Sequence, residues 1–242
     1  FLPRHGRGHS LTPTDINYRA NIDVMKRAGV TDILSVSACG SFREQMPPGT
    51  FVIVDQFVDR THLRPKSFFG PGLVAHVSMA QPVCQRLGDA AEQAAKQANI
   101  SCHRGGTYLA MEGPQFSSHA ESTLYRNWGM DVIGMTNMPE AKLAREAELP
   151  YATIAMVTDY DCWREGEAAV EVTNVLEVMA ANTSKAKAAV SALAQSLQGK
   201  PRTSSPQGIE TCLDYAMITA PEARDPAILS KLDAVAGRIL GR

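Results

Sequence analysis

The sequence lacks the patterns that mark several large classes of protein. Its five cysteines are scattered over 242 residues and form no Cys-x-x-Cys pair. Zinc-ligand spacing is therefore absent, and the odd count argues against a disulfide framework. Such cysteine usage is typical of the reducing cytoplasm, where we expect the protein to act. No apolar run approaches the roughly 20 residues that a membrane-spanning helix needs, and no signal peptide is visible.

The chain also lacks an excess of charge of either sign. The chain carries 24 lysines and arginines against 25 aspartates and glutamates, which gives a net charge of -1. No global field would therefore attract nucleic acid or an anionic membrane. Any phosphate group that the protein handles must be bound locally, by a few placed hydrogen-bond donors.

Common catalytic motifs are also missing. The sequence contains no Walker loop, no Gly-x-Gly-x-x-Gly, no nucleophile elbow, no Ser-His-Asp order and no carboxylate–histidine spacing suited to a metal. These absences favour a displacement reaction that depends on positioning and proton donation, with no metal ion.

Alternating strand and helix patterns fill most of the chain. Apolar runs predict strands over 32–37, 50–58, 106–110, 130–134 and 151–157. Helical patterns predict helices over 17–28, 83–98, 118–126, 139–148 and 172–197. Ser118 and Glu121 fit a capping box, and Pro139 fits the first turn of its helix. The alternation predicts one α/β domain with a mixed, mostly parallel central sheet flanked by helices.

Two aspartates follow the last of these predicted strands. The segment Thr158-Asp-Tyr-Asp161 comes directly after the apolar run 151–157, and Trp163 lies close behind it. Ligands of open α/β sheets bind at the carboxyl ends of strands. Carboxylates in such a place need donors, partners or a proton. A solvated turn or a helix N-cap would explain a lone aspartate, but the pair and the tryptophan favour a site.

Groups suited to an anion occur at two further points. Arg4 has a planar fork that donates parallel hydrogen bonds to phosphate or carboxylate, and His5 follows it. The turn Ser37-Ala-Cys-Gly-Ser41 offers hydroxyls and a nest of backbone N–H groups. Taken alone, a surface arginine beside a structural histidine explains Arg4 and His5 equally well. For Ser37 to Ser41 a plain turn is the better explanation.

Groups suited to a flat heterocycle joined to a sugar follow two other strands. Phe116 would stack on the heterocycle, Met135 would line the sugar, and Thr136 would donate a hydrogen bond. A core methionine is the simpler explanation of Met135 alone. The argument for a site rests on several strand ends that are all polar and rich in small residues.

A resemblance to a known family joins these segments. Its most specific motifs are Val132-Ile-Gly-Met-Thr136, Pro139-Glu-Ala-Lys-Leu-Ala-Arg-Glu146 and Thr158-Asp-Tyr-Asp-Cys-Trp163. They resemble the methylthioadenosine phosphorylases, in the trimeric branch of the purine nucleoside phosphorylase superfamily. The resemblance implies a phosphorylase domain over 1–198. The prolines and serines that follow Gly199 predict that 199–242 is a linker and C-terminal helical appendage of the same domain. The resemblance also implies a first strand and a Gly-rich phosphate loop, which we expect to be missing upstream of Phe1.

The resemblance implies phosphorolysis. Inorganic phosphate, a co-substrate rather than a cofactor, would attack C1′ of 5′-methylthioadenosine and release adenine and methylthioribose 1-phosphate. Asp159 would donate a proton to N7 of the purine, and Asp161 would contact the 6-amino group. Proximity and an apolar pocket would raise the pKa of Asp159, and the pair would titrate as a unit. A carboxylate at position 161 would select 6-aminopurines because it accepts from an amino group and repels an oxo group.

The resemblance also implies the binding residues and the assembly. The phosphate contacts would be Arg4, His5, Ser37, the Ala38 backbone and Thr136. The nucleoside contacts would be Phe116, Ser117, Met135, Thr158, Val172, Val175, Leu176 and His76. The last of these would come from an adjacent subunit of a homotrimer, or of a dimer of trimers. The partners would be small molecules alone, with no nucleic acid and no membrane.

Two alternatives to this function stay open at the level of sequence. The first is a broader 6-aminopurine nucleoside phosphorylase, since an apolar slot at Val172, Val175 and Leu176 favours methylthio over hydroxyl by only about 1–3 kcal/mol. The second is a catalytically silent purine-binding homologue. Adenine release from methylthioadenosine, with and without phosphate, separates the three.

Overall fold

The computed structural model describes residues 1–164 and 172–241, and for residues 172–174 it describes the backbone alone. In these ranges seven strands form one sheet. They are β1 (Ile33–Ser41), β2 (Phe51–Ile53), β3 (Gln56–Arg60), β4 (Cys102–Arg104), β5 (Thr107–Met111), β6 (Val132–Gly134) and β7 (Tyr151–Asp159). Their order is β3-β5-β6-β1-β7-β2-β4. Most neighbours run parallel, whereas β6 with β1 and β2 with β7 run antiparallel. The predicted fold class, an α/β domain with a mixed sheet, is confirmed.

Helices in the described ranges cover this sheet. They are α1 (Tyr18–Arg27), α2 (Gln85–Gln97), α3 (His119–Asn127), α4 (Glu140–Glu146), α5 (Val172–Leu197), α6 (Pro226–Lys231) and α7 (Gly237–Leu240). The capping box of α3 is confirmed, because Ser118 accepts from the Glu121 N–H while the Glu121 carboxylate accepts from the Ser118 N–H. None of the described helices is long and apolar enough to cross a membrane.

Helix α4 is shorter than predicted. It begins at Glu140, so Pro139 lies at the N-cap rather than in the first turn. It ends at Glu146, because Glu148 adopts a left-handed backbone with φ of 56° that an α-helix does not continue through. Its first residue, Glu140, therefore lies at the end of the segment that connects β6 to α4.

The predicted strand over 50–58 is wrong as a single element. It divides into β2, which pairs with β7 and β4, and β3, which pairs with β5. Asp55 lies at the break, where its carboxylate accepts a hydrogen bond from the Gly106 N–H at 3.1 Å. The two halves bond to different neighbours, so the chain must leave one ladder before it enters the other.

Strand β7 lies in the centre of the sheet and is buried from Tyr151 to Thr158. Helices α2, α4 and α5 pack on it, which explains its continuous apolar run. The strand extends two residues beyond the predicted end, through Asp159. Leu213 and Val235 join the same buried cluster as Tyr151, so residues after α5 contribute to the core.

The register of three strands brings the polar segments together. Strands β1 and β7 run parallel from Ile33 opposite Tyr151 to Gly40 opposite Asp159, with an irregularity after Cys39. Strand β6 pairs with the same end of β1, where Gly40 lies opposite Ile133. The segments that follow β7 and β6 therefore meet beside the carboxyl-terminal half of β1.

Candidate active site

Asp159 is the last residue of β7, and its carboxylate is held from within its own segment. One oxygen accepts from the Thr158 hydroxyl at 2.6 Å, and the other accepts from the Asp161 N–H at 2.8 Å. Burial raises the pKa of Asp159, and these two hydrogen bonds only partly oppose the shift. A carboxyl in this environment retains its proton above the usual range, which is the property that a proton donor needs.

Asp161 follows Asp159 by two residues and adopts a left-handed backbone conformation, with φ of 55°. Burial raises the pKa of Asp161, and the nearby charge of Asp159 raises it further. Its Oδ2 is buried and reaches no hydrogen-bond partner among the described residues. An unpaired buried acceptor costs stability and is suited to accept a hydrogen bond from a ligand.

Gly40 lets β1 approach both aspartates closely. A Cβ atom at this position would lie 2.9 Å from Asp159 Oδ1, 3.1 Å from Ile133 Cγ2 and 3.3 Å from the Cβ of Asp161. Its φ is not positive, so the absence of a side chain serves space rather than backbone conformation. Any larger residue would displace the pair of carboxyl groups.

The loop before α3 forms a wall next to the aspartates. The Ser117 carbonyl accepts from the Cys162 thiol at 3.3 Å, and His119 Nδ1 pairs with the Cys162 carbonyl at 2.7 Å. Trp163 extends the wall by donating its indole N–H to the Ser41 carbonyl at 2.8 Å. Phe116, in the same loop, is exposed and free to stack on a ligand. We call Asp159, Asp161, Thr158, Phe116 and Ser117 the base half of the site.

The predicted turn over 37–41 is wrong, because Ser37 and Ala38 lie inside β1, which runs to Ser41. The segment that follows β6 brings Thr136 next to them. The Ser37 and Thr136 hydroxyl oxygens lie 3.3 Å apart. The Ala38 carbonyl lies 3.2 Å from where a Cβ of Gly134 would be, so Ala38 and the end of β6 are in close contact. We call Ser37, Ala38, Thr136, Arg4 and His5 the phosphate half of the site.

Arg4 reaches this half through a buried ion pair that sequence reasoning missed. Its Nε and Nη2 donate to the two carboxylate oxygens of Glu140 at 2.6 and 2.7 Å. Nη2 also donates to the Ser35 hydroxyl, and Nη1 donates to the Val36 carbonyl at 3.2 Å. Since a guanidinium has five N–H donors, one N–H on Nη1 remains for a ligand. Two sequence features could have pointed to Glu140. It belongs to a motif that supported the family resemblance, and its side chain is acidic.

His5 is held by its own loop. Its Nδ1 lies 2.8 Å from the Leu11 carbonyl, and its ring stacks on His9 with the centroids 4.0 Å apart. Burial lowers the pKa of His5, so the neutral ring is favoured. A neutral ring that donates through Nδ1 keeps Nε2 as an acceptor, and such an acceptor suits a protonated phosphate oxygen.

A buried arginine, also missed from the sequence, organises the segments behind the site. Arg64 is fully enclosed and donates to the carbonyls of Met135, Met138 and Glu112, the last two at 2.7 and 2.6 Å. Burial acts to raise the pKa of Glu112, but hydrogen bonds from Thr14 and backbone N–H groups, with the charge of Arg64, lower it to about 2. The ion pair of Arg64 with Glu112 holds Met135 at the edge of the site. The loop that carries Arg64 gave no sequence signal of this role apart from the arginine itself.

The remaining predicted nucleoside contacts are more dispersed. Leu176 is 61% exposed and Val175 is half-buried, so the described residues do not enclose an apolar slot at these two positions. The side chain of Val172 lies outside the described residues. His76 is exposed, and its backbone N–H donates to the Ala216 carbonyl at 2.9 Å.

Two surface cavities of about 410 Å³ each lie away from the aspartates. One is lined by His76, Lys66, Lys142 and Glu146 among others, and the second by Asp55, Asp89 and Arg104 among others. Neither combines paired carboxyls with hydroxyls, so the edge formed by β1, β6 and β7 remains the candidate site. The described residues contain no group of three or more side chains arranged to hold a metal ion.

Comparison with known proteins identifies the family to which this sheet edge, with its carboxyl and hydroxyl groups, belongs. A family model described as the phosphorylase superfamily matches residues 1–195. The chain belongs to this superfamily.

Particular relatives narrow the family. The chain is 63% identical to an S-methyl-5′-thioadenosine phosphorylase of Bradyrhizobium diazoefficiens, over 99% of this chain and 82% of the relative. It is 61% identical to the enzyme of that name from Rhodospirillum rubrum, over 100% and 82% of the two chains. These identities confirm the resemblance to the methylthioadenosine phosphorylases.

Solved structures agree with the sequence comparisons. A methylthioadenosine phosphorylase from an antarctic soil metagenomic library matches with a TM-score of 0.91 at 44% identity, over 97% of this chain and 82% of that one. A methylthioadenosine phosphorylase from Schistosoma mansoni in complex with adenine matches with a TM-score of 0.86 at 34% identity, over 90% and 82%.

Proposed function

We propose that this protein cleaves the N-glycosidic bond of 5′-methylthioadenosine with inorganic phosphate, yielding adenine and 5-methylthioribose 1-phosphate. It would thus act as a pentosyltransferase in the salvage of purine and methionine. The observation that carries the proposal is the position of two half-buried carboxyls of raised pKa at the end of β7, beside the strand β1 that carries the Ser37 hydroxyl. The names of the relatives supply the substrate.

The base half supports departure of the purine. As the bond between C1′ and N9 breaks, its electron pair passes into the purine, and the protonated Asp159 donates to N7. Donation to a developing anion contributes roughly 10²–10⁴-fold in rate. Asp161 Oδ2, which is unpaired among the described residues, accepts from the 6-amino group. Phe116 stacks on the ring, and Ser117 and Thr158 border it.

The phosphate half supports attack on the sugar. The hydroxyls of Ser37 and Thr136, the Ala38 N–H and the remaining N–H of Arg4 donate to phosphate oxygens, while His5 accepts from a protonated one. A phosphate oxygen then forms the new bond to C1′ on the face opposite the purine. Met135, held through Arg64, lines the ribose. Fixing both reactants in this geometry removes much of the entropic barrier.

The assembly is proposed to be a homotrimer, or a dimer of trimers, acting in the cytoplasm. Exposed Leu176 and exposed His76 support it, because the slot for the 5′-methylthio group then requires a neighbouring subunit to enclose Val172, Val175 and Leu176. The five free cysteines support a reducing compartment. Light scattering of the purified protein measures the oligomeric state, and a monomer would contradict the shared slot.

One assay tests the proposed reaction. The purified chain is incubated with 5′-methylthioadenosine, and adenine release is followed with and without phosphate. Release that requires phosphate and yields a sugar phosphate supports the proposal. Release without phosphate would indicate a hydrolase, and adenine binding without release would indicate a silent homologue.

A second candidate, a broader 6-aminopurine nucleoside phosphorylase, is favoured by the open position of Leu176. It is also favoured by a Schistosoma mansoni relative that is named an adenosine/methylthioadenosine phosphorylase. The ratio of kcat/KM for methylthioadenosine and adenosine separates the two candidates. A ratio near one would support the broader enzyme.

A further inference from the structure

A fully buried tyrosine lies beneath the phosphate half. Tyr108 of β5 pairs with Val132 of β6 on one side and Phe57 of β3 on the other. It is 0% exposed, and its ring packs edge-on against Phe57 with the centroids 5.8 Å apart. Its hydroxyl has no hydrogen-bond partner among the described residues. A buried hydroxyl without a partner costs stability, so retaining one calls for a purpose.

Gly134 leaves the space through which this hydroxyl passes. A Cβ at Gly134 would overlap the Tyr108 Oη and lie 2.7 Å from its Cζ. The same Cβ would lie 3.2 Å from the Ala38 carbonyl oxygen. The Tyr108 hydroxyl therefore crosses the end of β6 toward the edge where Ser37, Ala38 and Thr136 meet.

The hydroxyl faces two named groups of that edge. They are the Ser37 side chain and the backbone of Thr136, which are close enough to lower the pKa of Tyr108, as does the positive charge of Arg4. Burial, the largest influence, raises the pKa of Tyr108, so the phenol keeps its proton throughout the physiological range. It is therefore available as a hydrogen-bond donor.

The Ser37 hydroxyl can accept a hydrogen bond from such a donor. It has two described contacts, both long: the carbonyl of the neighbouring Ala38 at 3.2 Å and the Thr136 hydroxyl at 3.3 Å. A serine hydroxyl carries one proton and two lone pairs. If a second group donates to the oxygen, the single proton is directed outward, toward an acceptor such as phosphate.

We propose that Tyr108 is a positioning residue of the phosphate site: when phosphate binds, the Tyr108 hydroxyl donates to Ser37 Oγ and so directs the Ser37 proton to the phosphate. The assignment rests on the proposed function for the identity of the anion. Tyr108 does not touch phosphate itself, and its effect passes through Ser37.

The first test is Tyr108→Phe, which removes one oxygen and keeps the ring. We expect the Kd of inorganic phosphate, measured by calorimetry, and the KM for phosphate to rise about five- to tenfold, as for one lost hydrogen bond. The adenine Kd and kcat at saturating phosphate stay near wild type. The matched control is Tyr125→Phe. Tyr125 of α3 is buried between Phe42 and Trp128, and its substitution should leave phosphate binding unchanged.

The second test asks whether Tyr108 acts through Ser37. Ser37→Ala, Tyr108→Phe and the double variant form a cycle in phosphate Kd. We expect the double variant to bind phosphate as Ser37→Ala does, because the tyrosine has nothing left to orient. Independent, multiplying effects, or an unchanged Kd in Tyr108→Phe, would overturn the assignment. Direct phosphate binding requires no turnover, so a failure of the proposed reaction is seen separately as absent adenine release.

Discussion

The base half and the phosphate half of the site are built in different ways. In the base half, the Asp159 carboxylate is held by Thr158 and Asp161, which are close to it in the chain. In the phosphate half, Arg4 is held by Glu140, 136 residues away. The base half relies on groups whose proton can move, while the phosphate half relies on hydroxyls, backbone N–H groups and a permanent cation. Local hydrogen bonds therefore oppose the pKa shift that burial gives Asp159, whereas distant contacts assemble the charge of the phosphate half.

The largest expected effect lies in the base half. Asp159→Asn removes the transferable proton but keeps the shape, so kcat should fall about 10²–10⁴-fold while the adenine Kd changes little. Steady-state kinetics and calorimetry measure the two quantities. Asp233→Asn, at an exposed ion pair with Arg27, is the control and should retain full activity. Turnover near wild type in Asp159→Asn would remove the proton-donor role.

The next effect lies in the phosphate half and concerns stability. Glu140→Gln leaves the Arg4 charge buried without its partner, and the free energy of unfolding should fall by about 3 kcal/mol. Urea titration measures this loss. Glu44→Gln, in an exposed pair with Arg164, should cost no more than about 0.5 kcal/mol. Equal losses in the two variants would show that the distant ion pair does not hold the phosphate half.

A smaller effect concerns which purine the base half accepts. Asp161→Asn introduces an amide that both donates and accepts, so discrimination against 6-oxopurine nucleosides should weaken by about 10–100-fold in kcat/KM ratio. The ratio between methylthioadenosine and adenosine should stay constant, because both carry a 6-amino group. If selectivity against 6-oxo substrates survived intact, Asp161 would not read the base.

The smallest effect is a dependence of stability on pH that the two aspartates of the base half should produce. Because the folded-state pKa values of Asp159 and Asp161 are raised, their protonated forms stabilise the fold. This contribution is complete below the unfolded value near about 4 and is lost as the pH rises through the raised folded values.

Urea titrations from about pH 4 to about pH 8 measure this dependence. Relative to wild type, Asp159→Asn should become more stable as the pH rises, because an amide carries no charge that burial penalises. Ser37→Ala, in the phosphate half, should show a difference from wild type that does not vary with pH. A flat profile for Asp159→Asn would mean that burial does not raise this pKa.

Most elements and the placement of the two aspartates after an apolar strand were predictable from the sequence. Helices α1, α2, α3 and α5 follow their predicted ranges closely, because amphipathic spacing and local caps such as Ser118 and Asn17 determine them. The strand over 50–58 was mispredicted because its apolar run does not reveal that β2 and β3 bond to different neighbours. Tyr108 and Glu140 were missed because a buried tyrosine and a glutamate on a helix carry no local mark of the site.

The sequence by itself determined the α/β class, the capping of α3 and the placement of two aspartates at the end of an apolar strand, since each depends on neighbours in the chain. Only the tertiary structure decided the register that sets Gly40 beside Asp159, the pairing of Arg4 with Glu140 and the path of the Tyr108 hydroxyl over Gly134. It also decided the raised pKa of both aspartates. Burial and electrostatic environment come from residues far apart in the chain, which no local pattern records.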